Sequence, residues 1–102
     1  MTRGEIWLAE VGRKPRPVLV LTRSEVIDVR YRVTVAEITT SIRGLATEVS
    51  LDHEQAALDH PSVVNCDGLH TVSRSSLTRR LGTMGNGAME KVCWAVSYAL
   101  GC

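Results

Sequence analysis

The hydrophobic pattern of this chain changes period once, near residue 86, and that change limits the folds open to it. Ahead of the change, short apolar segments alternate with turn signals, as expected for β-strands whose successive side chains point to opposite faces. Behind it, Met89, Val92, Cys93, Val96 and Leu100 fall at i, i+3, i+4, i+7 and i+11, one stripe of an α-helix. The pattern therefore predicts a mainly β protein with a C-terminal helix, the strands forming a small barrel or a strongly curled sheet.

The strand segments differ in how they are expected to be buried. "GEIWLAEV" (4–11) alternates, whereas "RPVLVLT" (16–22) is a continuous apolar run suited to a strand covered on both sides. "YRVTVAEIT" (31–39) puts Tyr31, Val33, Val35, Glu37 and Thr39 on one face and Arg32, Thr34, Ala36 and Ile38 on the other. "TEVSL" (47–51) and "SVVNC" (62–66) read as shorter strands, and "LHTV" (69–72) with "RLGTM" (80–84) as one or two more. "GRKP" (12–15) is a tight link whose proline, like Pro17, suits a strand start or edge. "IRGLA" (42–46) holds a turn glycine, "HEQAALDHP" (53–61) reads as a surface loop with a helical turn ended by Pro61, and "GTMGNG" (82–87) as a turn. The helix is expected to lie across the open end of the barrel, with Asn86 as N-cap and Gly101 at its C-terminus. Trp94 and Tyr98 lie off its apolar stripe, a hint of a subunit interface.

Length and composition bound the rest. A chain of 102 residues, 44% hydrophobic and 23% charged, suits one globular domain spanning 1–102. No apolar run approaches the roughly 20 residues that cross a bilayer, and the N-terminus lacks a signal-peptide core, so a cytoplasmic protein without a membrane partner is expected. The net charge is only +1, but cations cluster at Arg13, Lys14, Arg16 and Arg23, at Arg30 and Arg32, and at Arg74, Arg79 and Arg80. Such clusters are either solvated loop charges or a basic face that attracts a polyanion. Cys66, Cys93 and Cys102 have no CxxC spacing, and Cys66 and Cys93 read as small core residues. His53, His60 and His70 show no zinc-ligand spacing, so neither a metal nor another cofactor is expected.

In order, "RGEIWLAEVG", "RPVLVLT", "AEITTS", "PSVVNCDGLHTV" and "RRLGTM…ALG" resemble the MazF and PemK toxins, the ribonuclease halves of bacterial toxin–antitoxin pairs. Each motif is weak alone; their order and separation over essentially the whole chain make the resemblance specific. It implies a small SH3-like barrel with a C-terminal helix, a homodimer, metal-independent cleavage of single-stranded RNA, and inhibition by a cognate MazE-like antitoxin. It assigns the essential Arg of the "RPV" motif to Arg16 and the essential hydroxyl at the strand end to Thr39.

That pair suits attack by the RNA 2′-hydroxyl on the adjacent phosphorus, leaving a 2′,3′-cyclic phosphate and a 5′-hydroxyl. The Arg fork matches phosphate oxygens and the Thr hydroxyl can donate or accept. Arg is a poor proton acceptor, so the base is not assigned by the motif, and Glu37 and His70 are candidates to assist. Each also reads as an ordinary strand residue. Against the resemblance, Glu37 stands where a small residue or Pro is usual, His70 where Arg is usual and Gly68 where Gln is usual, and the 12–15 link is short. Arg13, Lys14, Arg23, Ser41, Asn65 and His70 are candidate phosphate or base contacts, and equally plain surface.

Two other readings compete. One is a barrel resembling the CcdB toxins, which poison DNA gyrase without catalysis and would not need Arg16 with Thr39. The other is an inactive nucleic-acid-binding module, against which four Trp and Tyr residues offer little base stacking.

Overall fold

The computed structural model describes residues 1–11, 14–52 and 56–102. Its elements run β1 (Glu5–Val11), β2 (Lys14–Val20), a short helix α1 (Ser24–Ile27), β3 (Arg32–Thr39), β4 (Glu48–Leu51), β5 (Ser62–Ser73), a 3-10 turn at Arg74–Ser76, β6 (Leu77–Thr83) and α2 (Asn86–Leu100). The strands make one antiparallel sheet in the order β4-β5-β3-β2-β1-β6, curled into a half-barrel. Among the described residues, β4 and β6 remain its edges. The expected mainly β architecture with a C-terminal helix is present, and among the described residues no helix is long and apolar enough to cross a membrane.

Alternation along the strands builds two cores from one sheet. Ala9, Val18, Val20, Val33, Val35 and Leu77 point to the face where Ile27 of α1 also packs. Ile6, Leu19, Ala36, Ile38, Val49, Val64 and Cys66 point to the other face, under Met89, Val92 and Ala95 of α2. The uninterrupted run in β2 is thus explained, since Val18 and Val20 fill one core and Leu19 the other.

Four details differ from the pattern. First, "SVVNC" and "LHTV" are one strand: β5 runs continuously, and its pairing with β3 jumps from Ala36↔Leu69 to Glu37↔Asn65. Cys66, Asp67 and Gly68 make that bulge, in which the Asp67-Gly68 pair by composition looks like a turn. Second, β2 begins at Lys14, so Pro15 and Pro17 lie inside it. They are tolerated because the β2–β3 ladder covers only Val18 to Val20, and the proline half of β2 pairs with β1 alone. Third, α2 buries Met89, Val92 and Ala95, whereas Cys93 and Leu100 are exposed. Fourth, Gly85 rather than Asn86 occupies the N-cap position, with no side-chain cap. At the other end Gly101 has φ +76°, and the N–H groups of Gly101 and Cys102 bond the Tyr98 and Ser97 carbonyls at 3.2 and 2.9 Å.

Candidate functional site

The splaying of β2 from β3 creates the site. Their ladder ends at Val18↔Glu37; two residues further out on the same faces stand Arg16 on β2 and Thr39 on β3. Arg16 lies between two pockets. One, of about 260 Å³, is lined by Arg16, Pro17, Ile38, Thr39, Thr40, Leu58, Asp59, His60 and Ser62. The other, of about 160 Å³, has an apolar floor of Ala9, Val18, Val35 and Val72 with Arg16, Glu37 and His70 at its rim. The sequence-predicted pair thus shares one pocket, and both proposed assistants share the other with Arg16.

The hydroxyl of Thr39 is oriented. Its Oγ1 accepts the N–H of Ser41 at 3.1 Å, which uses an acceptor lone pair and leaves the O–H free to donate. The loop that follows is fastened by Glu48, whose Oε1 accepts the N–H groups of Arg43, Gly44 and Leu45 at 3.0, 2.8 and 3.3 Å. Burial alone would raise the Glu48 pKa; those three donors and the Arg43 guanidinium outweigh it and hold the carboxyl below its ordinary value.

The three positions that depart from the expected motif meet in space. His70 pairs with Val35 across the β3–β5 ladder, which sets it diagonal to Glu37, and its Nε2 lies 2.8 Å from Glu37 Oε1. Gly68 lies against the same carboxylate: a Cβ there would stand 2.5 Å from Glu37 Oε2 and 3.1 Å from Asn65 Nδ2. Gly68 is glycine in a position where the Glu37 side chain fills the space a Cβ needs.

Other candidates are placed less centrally. Lys14 is exposed at the start of β2, Ser41 adjoins Thr39, and Asn65 lies in β5 opposite Glu37 with its Oδ1 accepting the Asp67 N–H at 3.1 Å. Arg23 lies apart from Arg16, in a groove with Arg30, Arg32, Thr34, Val96 and Leu100. Arg13 and His53 fall outside the described residues. Asp59 and His60 line the Thr39 pocket and were not singled out from the sequence; the only signal was their place beside Pro61 ahead of β5.

Of the cysteines, Cys66 is buried in the core as expected, and desolvation, with the nearby Asp67 charge and Cys93, pushes its pKa up to about 11. It is not a ready nucleophile. Cys93 is not a core residue; it is exposed, and its Sγ accepts a hydrogen bond from Arg3 Nη2 at 2.9 Å. Among the described residues, no group of three or more His, Cys, Asp or Glu side chains gathers as metal ligands would.

Comparison with known proteins gives this geometry its context. The family described as PemK-like, MazF-like toxin of type II toxin-antitoxin system matches residues 2–100. The probable endoribonuclease MazF5 of Mycobacterium tuberculosis is 42% identical over 103 residues, covering 98% of this chain and 93% of its own. The solved structure of the Mycobacterium tuberculosis toxin MazF-mt6 superposes with a TM-score of 0.89 at 40% identity, over 95% of this chain and 96% of that one. A mycobacterial endoribonuclease solved in complex with its cognate antitoxin shares the fold, with a TM-score of 0.89 at 24% identity over 99% of this chain and 95% of that one.

Proposed function

Since this chain belongs to the PemK-like, MazF-like toxins of type II toxin–antitoxin systems and is an endoribonuclease, we propose that it cuts single-stranded RNA in the groove centred on Arg16. The observation that carries this reading is the convergence of Arg16 and Thr39 on one open pocket where β2 and β3 part.

The chemistry follows from the groups at hand. The 2′-hydroxyl of the nucleotide ahead of the scissile bond attacks phosphorus, the bond to the 5′-oxygen breaks, and a 2′,3′-cyclic phosphate and a 5′-hydroxyl result. Negative charge grows on the phosphoryl oxygens, where the Arg16 guanidinium offers a fork of charged donors and the free O–H of Thr39 another. One such preorganised donor contributes about 3 kcal/mol, or about a hundredfold in rate. The nucleophile belongs to the RNA, so the reaction needs no metal-activated water.

Lys14, Ser41 and Asn65 are read as flanking contacts and Arg23 as a more distant charge along the RNA path, while Arg13 lies outside the described residues and stays a candidate by sequence alone. The partners that fit this reading are a cognate antitoxin and a second copy of the chain. The latter is supported by the stacked pair Trp94 and Tyr98, 5.3 Å between ring centroids and 59% and 60% exposed on α2. The curated relative named above is a probable endoribonuclease of the MazF type, so the gyrase-poison alternative is not carried further.

The test uses RNA and DNA oligonucleotides of one sequence in EDTA. The parental protein is expected to cut the RNA to 5′-hydroxyl ends and leave the DNA intact. Arg16→Ala and Thr39→Ala are each expected to lower the rate about a hundredfold or more with an unchanged melting temperature. Cleavage of the DNA strand, or a parental rate in Thr39→Ala, would refute the assignment.

A further inference from the structure

The Arg16 and Thr39 groups donate hydrogen bonds and charge; neither takes a proton well from the attacking 2′-hydroxyl. The second pocket at Arg16 holds a group that can. His70 Nε2 lies 2.8 Å from Glu37 Oε1, and an ionised carboxylate only accepts, so Nε2 carries the hydrogen and the Nδ1 lone pair is left free. Among the described residues no group hydrogen-bonds to Nδ1. The His70 side chain is 52% exposed and that of Glu37 40%, so a polymer in the groove can reach the ring.

From this we infer that His70 is the general base of the reaction and Glu37 its positioning residue, an inference that rests on the ribonuclease reading above. His70 Nδ1 takes the proton of the 2′-hydroxyl as the 2′-oxygen bonds to phosphorus. The phosphorus–5′-oxygen bond breaks, the departing oxygen takes a proton from water, and the imidazolium returns its proton to solvent. Glu37 fixes the tautomer and stabilises the imidazolium while it exists, the role a carboxylate plays behind a catalytic histidine in general.

The surroundings support this assignment over an incidental surface pair. Glu37 reaches His70 because β5 bulges at residues 66–68 and because Gly68 has no Cβ to occupy the carboxylate's place. The floor beneath the pair is Val18, Val35 and Val72, which carries no competing donor. Among the described residues, the charged groups lining the pocket with His70 are Glu37 from β3 and Arg16 from β2. On its own strand, Asp67 is engaged elsewhere, accepting the Thr47 hydroxyl at 2.6 Å.

The decisive experiment is the pH profile of single-turnover cleavage for the full chain and its variants. The parental rate is expected to rise with pH along an acidic limb, because the base works only when unprotonated. His70→Gln is expected to lose that limb and about 10²- to 10⁴-fold in rate, with an unchanged melting temperature. His70→Ala is expected to regain rate in added imidazole, which a merely structural role would not allow. Glu37→Gln is expected to keep the limb and to lower the single-turnover rate at saturating RNA without changing the RNA concentration at half-saturation. Gly68→Ala, whose new methyl displaces the Glu37 carboxylate, should behave likewise. A parental rate and limb in His70→Gln, or a limb lost in His60→Gln instead, would overturn the inference. If Arg16→Ala is inactive while His70→Gln is not, only this inference falls; if the parental chain cuts no RNA, the ribonuclease reading falls with it.

Discussion

Glu48 shows how one side chain links acid stability to the loop that follows Thr39. Its carboxylate is 3% exposed and accepts three backbone N–H groups of residues 43–45, with Arg43 Nε 3.6 Å from its second oxygen. Its folded pKa lies below the ordinary 4.5, so its stabilisation is complete above that value and is lost as pH falls through the lower folded one. Glu48→Gln is therefore expected to lower the urea midpoint at pH 7, and the gap to the parent should narrow as pH falls below the ordinary carboxylate value. A gap that persists undiminished in acid would show that packing, not charge, fixes this loop. The candidate site residues divide by how they can be found. Arg16 and Thr39 are nominated by the motif the chain shares with a family. Glu37 and His70 were visible as residues but not as a pair, because their contact depends on a bulge that the turn-like pair Asp67 and Gly68 conceals inside β5.

At the level of elements, α2 separates hydrophobicity from packing. The apolar stripe read from sequence is centred on Met89, Val96 and Leu100, while the buried arc is centred on Val92, with Ala95 at one side and Met89 at the other. At 3.6 residues per turn the helix is rotated about 60° from the expected orientation. Alanine carries little weight in a hydrophobic pattern, yet its small side chain lets the helix come close to the sheet, and Ala88 and Ala99 turn to the same side. The consequence is a sharp contrast in melts: Met89→Ala is expected to cost about 2–5 kcal/mol, and Leu100→Ala, 62% exposed, less than about 0.5 kcal/mol. Equal losses would restore the orientation read from sequence. The strands were more readable than the helix because a period of two leaves only two faces to choose between. Val33 and Val35 against Ala36 and Ile38 fall on opposite cores as their alternation requires. Strand ends were less readable: β2 extends back through Pro15 because β3 has already diverged there, a fact about its neighbour rather than about its own residues.

The whole molecule carries a net charge of only +1, so the proposed attraction of RNA must come from where cations sit rather than from their total. Binding of an uncleavable RNA with 2′-deoxy substitution at the scissile position is expected to weaken with salt by a slope of about 0.7 per phosphate neutralised. Arg16→Ala should reduce that slope by about 0.7, measured by fluorescence anisotropy across salt concentrations, and an unchanged slope would place Arg16 away from the phosphates. The position of this one arginine has a further result. Because Arg16 borders both pockets, a phosphate held there leaves the preceding and following nucleotides in chemically different rooms, one floored by valines beside His70, the other walled by Thr40, Asp59 and Ser62. Under the proposed cut at Arg16, base preference on its two sides is expected to be set by separate walls of the molecule, so substitutions on one wall should change what is read upstream without disturbing what is read downstream.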